Sequence, residues 1–144
     1  MNTKGVWALI ICALIALVTA ISHISCIFLG AACYQAQLAP AQIVQSATDG
    51  TLLAPLATLT VSLLFILCGL FALSGASFIK KLPFQNLALL TIAILCTLRG
   101  LSTVPLSFLF PEIVSDFSLI AGAIWFITGL LYAYGYICVR KSCA

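Results

Sequence analysis

The residues of this chain with chemical reach are seven cysteines, one histidine, Arg99 within an apolar run, and three carboxylates. Thiol chemistry usually announces itself as Cys-x-x-Cys, and no such pair is present. Cys26 and Cys33 are seven residues apart; on one continuous helix they would be separated by about 10 Å, too far to bridge without unwinding. The remaining cysteines read mostly as small packing residues inside apolar segments. A zinc site needs three or four converging His, Cys or carboxylate ligands, and no such spacing occurs. A b-type haem held between helices needs two histidines, and only His23 is available. With no phosphate-binding glycine loop and no nucleophile elbow, no catalytic residue, metal or cofactor is predicted.

One set of polar residues still asks for an explanation. His23, Tyr34, Arg99, Glu112 and Asp116 fall at similar depth if the apolar runs between them are spanning helices, and together they form a candidate outer-leaflet polar cluster. An arginine within a span costs roughly 2.5–3.5 kcal/mol even on lenient insertion scales, so something should offset it. If Arg99 pairs with Glu112 or Asp116 it is a structural ion pair; if it is unpaired, its planar fork suits a lipid phosphate or a carboxylate ligand. The plain reading of His23 is a hydrogen-bonded helix contact.

The elements that must position these groups follow from composition. With 64% apolar and only 6% charged residues, the chain cannot be an ordinary soluble domain or a disordered one. Six basic residues and a formal net charge of +3 make no phosphate-binding stripe, so nucleic acid is not an expected partner. Four continuous apolar runs, over 6–29, 52–76, 87–110 and 117–139, are each long enough to cross a bilayer core, which takes roughly 20 residues. Continuous rather than alternating runs select helices over a barrel. The expected fold is all-α, an integral membrane antiparallel four-helix bundle making one transmembrane domain over 1–144.

Lys4, the pair Lys80 and Lys81, and the pair Arg140 and Lys141 then share one side, while Asp49, Glu112 and Asp116 share the other. Basic residues near span ends are retained in the cytoplasm, which predicts cytoplasmic N- and C-termini and an outward 30–51 connection. A cleaved signal peptide is the rival, with Val18-Thr19-Ala20 as its cleavage-site likeness. The apolar run continues well past Ala20, however, and cleavage would leave three spans. Counted along the helices, Arg99 sits roughly 18 Å into a core about 30 Å thick, and His23 roughly 26 Å.

Helices in lipid associate through small residues and side-chain hydrogen bonds. Cys12, Ala16, Thr19, His23, Cys26, Gly30, Cys33 and Gln37 recur at helical spacing, which predicts a first helix running on towards Pro40. Thr58, Ser62, Gly69, Ala72 and Ala76 form a second seam, and Ser118, Gly122, Gly129, Tyr132 and Tyr136 a third. Residues 40–47 suit a short helix on the outer surface, a lid or interfacial segment, with an ordinary connecting loop as the alternative, before Asp49-Gly50 turns the chain inward. Pro105 should kink the third span or end it early.

Three segments carry a likeness to known proteins. They are His23-Ile24-Ser25-Cys26-Ile27-Phe28-Leu29-Gly30 with Tyr34, Leu73-Ser74-Gly75-Ala76 followed by Leu82-Pro83, and Leu98-Arg99-Gly100-Leu101. In these the chain resembles a family of small uncharacterised bacterial inner-membrane proteins, and in gross plan it is similar to DoxX-like four-helix proteins. The resemblance implies a bacterial inner membrane and four helices, and carries no established activity. The leading expectation is a non-enzymatic polytopic protein that binds a lipid, a hydrophobic small molecule or a membrane partner, itself or another chain, through the polar cluster. An oligomeric small-solute transporter is the first alternative, although the first span lacks a carboxylate and His23 would have to carry protons. A membrane thiol or quinone oxidoreductase is the second.

Overall fold

The computed structural model describes residues 3–109 and 116–142. Among them the chain forms six helices: α1 (Thr3–Leu29), α2 (Ala31–Ala36), α3 (Ala41–Thr48), α4 (Leu53–Gly75), α5 (Gln85–Leu109) and α6 (Asp116–Ser142). Of these α1, α4, α5 and α6 are long and apolar enough to cross a membrane. They coincide with the four expected spans to within a few residues, because apolar runs of this length have no other way to satisfy their backbone in lipid.

Two differences from expectation are informative. Pro105 does not end α5 early, since the helix runs on to Leu109. In contrast α1 stops at Leu29: Gly30 takes φ 76 and ψ −162, a conformation open to glycine, and α2 begins one residue later. The helical stripe extrapolated towards Pro40 is therefore broken. Of the two forms open to residues 40–47 the helix is the one present, as α3, and Gly50, at φ 69, makes the following turn.

The chain divides into two compact units, one of residues 1–15 and 68–144 and the other of residues 16–67. In the first unit Leu9, Cys12, Ala72, Ala76, Leu89, Ala93, Tyr132 and Val139 form the core. There α5 packs along α6 at short range, since glycines 122 and 129 of α6 lie against Thr103 and Thr97 of α5. The Tyr132 hydroxyl donates to the Cys68 carbonyl at 3.0 Å. Ser74 Oγ accepts from the Leu82 backbone at 2.9 Å and donates to Gln85 Oε1 at 2.7 Å, tying the turn after α4 to the start of α5.

In the second unit the 30–51 connection is a folded cap rather than a loop. Cys26, Tyr34 and Ala54 are buried together, with Cys33, Ala39, Ile43, Val44 and Ala47 packed against them. Ser46 Oγ accepts from the Ala54 backbone at 2.9 Å and shares a hydrogen bond with Thr51 Oγ1 at 2.6 Å. Of the expected small-residue seams, Cys12, Ala16 and Cys26 of α1 are buried and Thr19 and His23 half-buried; Thr58, Ser62, Gly69 and Ala72 of α4 and Ala76 just beyond its end are buried; and Ser118, Gly122, Gly129 and Tyr132 of α6 are buried and Tyr136 half-buried.

Candidate functional site

The four described residues of the expected polar cluster are distributed between the two units. His23 and Tyr34 belong to the second unit and Arg99 and Asp116 to the first, while Glu112 lies outside the described residues. Each described member has its own surroundings. The His23 ring, half-buried on α1, stacks on Phe65 of α4 with centroids 5.4 Å apart and planes 8° from parallel. Tyr34 is buried on α2, and its hydroxyl is 2.9 Å from Thr58 Oγ1. Since Thr58 already donates to the Ala54 carbonyl at 2.8 Å, Tyr34 is the donor in that pair.

Arg99 is exposed on α5. Among the described residues its guanidinium has one hydrogen-bond partner, Thr103 Oγ1 at 3.1 Å, one turn further along the same helix. The Thr103 hydroxyl in turn reaches back to the Arg99 carbonyl at 3.3 Å, so the bond is local to the helix and leaves most of the five guanidinium donors for another acceptor. Asp116 is the first residue of α6, where a carboxylate interacts favourably with the positive end of the helix dipole.

What spacing alone missed is a disulfide. Cys26 and Cys33 are bridged, with Cα atoms 5.2 Å apart. Seven residues of continuous helix would hold them about 10 Å apart, but the helix does not continue. Gly30 breaks it between them, and the chain folds back within bonding distance. The signal that could have found the pair was the glycine midway between the two cysteines, in a segment whose polar residues no longer suit a span. Gln37 completes the arrangement: its amide nitrogen is 3.1 Å from Cys26 Sγ, 3.9 Å from Cys33 Sγ and 3.2 Å from the Ser22 carbonyl.

Cys12, Cys68, Cys96 and Cys138 take part in no disulfide and lie within the apolar helices. Among the described residues no three His, Cys, Asp or Glu side chains converge as metal ligands. No family model, curated protein or solved structure matches the chain.

Proposed function

We propose that this chain is a four-span membrane protein, an antiparallel helical bundle of the bacterial inner membrane with both termini in the cytoplasm, that binds an anionic lipid or a carboxylate-bearing membrane partner through Arg99. The observation that carries the reading is the exposure of Arg99 well inside an apolar helix with Thr103 as its described partner. A guanidinium in that position is costly in lipid unless an anion meets it. Its planar fork matches phosphate and carboxylate oxygens better than a lysine ammonium would.

Two independent features support the orientation. Basic residues flank the spans on the side of Lys80 and Lys81. The bridge between Cys26 and Cys33 lies at the opposite end of α1 from Lys4, and disulfides persist in oxidising compartments outside the cytoplasm. Trypsin added to vesicles of known sidedness should cut after Lys80 or Lys81 from the cytoplasmic face alone; cleavage from the other face would reverse the topology.

Binding is tested by native mass spectrometry of the wild type and of Arg99→Leu released from mild detergent. A discrete adduct on the wild type that is lost in Arg99→Leu and weakened in Arg99→Lys supports the reading, and its mass separates a lipid from a polypeptide. Bare protein in all three samples removes it.

A further inference from the structure

The disulfide has features that a simple brace does not need. Its two sulfurs are unlike: Cys26 is fully buried, whereas Cys33 is partly exposed. The residue an incoming thiolate would meet is therefore Cys33 rather than Cys26. The Gln37 amide stands 3.1 Å from Cys26 Sγ, the sulfur that would be expelled by attack at Cys33. A donor fixed beside an atom on which negative charge develops stabilises that step more than the ground state. Once expelled and protonated, Cys26 has the Ser22 carbonyl 3.7 Å away to accept from its thiol. The reduced form thus has a hydrogen-bond partner ready.

The bridge also adds little that the cap lacks. It closes a loop of only seven residues' separation, the kind that constrains an unfolded chain least. The cap is held separately by the Tyr34 to Thr58 bond, by Ser46 and by its apolar cluster. Gly30, between the two cysteines, has open space where a Cβ would stand, so the break has room to relax when the bridge opens.

We propose that Cys26 and Cys33 form an exchangeable redox pair that oxidises dithiols of exported polypeptides. A substrate thiolate attacks Cys33 Sγ, forming a mixed disulfide and releasing Cys26 as a thiolate that takes up a proton. The second substrate thiolate then attacks the substrate sulfur of that mixed disulfide and expels the Cys33 thiolate, which is protonated in turn. The substrate loses two electrons and two protons, and the pair gains them. The same steps run in reverse against a more oxidising disulfide restore the bridge. The assignment of exported substrates rests on the outward orientation proposed above; the exchange itself does not.

The test uses the full chain in mild detergent, equilibrated with mixtures of reduced and oxidised glutathione, then alkylated and mapped by peptide mass. The pair should pass from bridged to doubly alkylated across the glutathione series while helicity is unchanged. In Cys26→Ala the remaining Cys33 should carry glutathione, and in Cys33→Ala the buried Cys26 should not. Gln37→Leu should slow reduction roughly tenfold without changing the circular dichroism. A bridge that stays closed at every glutathione ratio until the protein is denatured would overturn the proposal, as would equal reactivity of the two cysteines. Because the wild-type titration needs no variant to fold and no membrane, its failure is distinguishable from a reversed topology, which the trypsin experiment reads.

Discussion

Gly100 of α5 lies so close to Phe126 of α6 that a Cβ built on it would stand 2.5 Å from the Phe126 backbone nitrogen. Contact at that range is what holds helices together in lipid, where solvent exclusion gives no driving force and close packing must supply it. Gly100→Ala should therefore force α5 and α6 apart and cost about 1–3 kcal/mol, as overpacking does elsewhere. Unfolding by a graded mixture of harsh and mild detergent would measure it. Arg99 is untouched by this change, so any adduct dependent on Arg99 should survive wherever the variant is still folded.

Ser74 serves three groups with one hydroxyl. It accepts from the Leu82 backbone and donates to Gln85 Oε1, with the Lys80 carbonyl 3.2 Å away as a second acceptor. Gln85 is buried, so Ser74→Ala strands a side-chain amide and a backbone N–H together. The expected loss is about 1–3 kcal/mol. Faster tryptic cleavage after Lys80 or Lys81 would report it, because those bonds lie in the turn that Ser74 organises. An unchanged cleavage rate would mean that water replaces the hydroxyl there.

Ser77 ends α4 in the left-handed region, at φ 65, with the Phe78 backbone donating to the Leu73 carbonyl at 3.0 Å. This is the helix-ending motif in which glycine is the usual occupant. Ser77 is exposed and its Cβ is disfavoured in that conformation, so Ser77→Gly should stabilise the chain by about 1 kcal/mol. The readout is a raised midpoint in the same detergent titration.

The four long helices were legible because hydropathy over twenty residues is a strong signal with one physical solution. The seams were legible for the same reason: small and hydroxylated residues at helical spacing are where backbones can approach, and Ser62, Ala72, Gly122 and Tyr132 are buried accordingly. The disulfide was not legible, because its distance depends on a single backbone angle at Gly30 and periodicity assumes that no such angle intervenes. Nor did periodicity assign the polar residues their partners. The His23 stack on Phe65 and the Tyr34 bond to Thr58 both join α4 to residues more than twenty positions earlier in the chain, and helical spacing says nothing about which side chain of a neighbour is met.

That last pair gives a prediction whose asymmetry matters more than its size. Tyr34 donates to Thr58 Oγ1, and Thr58 has its own acceptor at Ala54. Tyr34→Phe removes the donor and leaves Thr58 still bonded, so the loss should be about 0.5–1.5 kcal/mol. Thr58→Val instead leaves the Tyr34 hydroxyl buried without its acceptor, and should cost about 1–3 kcal/mol. The double variant should cost less than the sum of the two, since its second change relieves a penalty created by the first. Hydrogen exchange of residues 31–48, followed by mass spectrometry, would read all three variants, because this bond joins the cap to α4. Equal single effects that simply add would show that the two hydroxyls do not depend on each other.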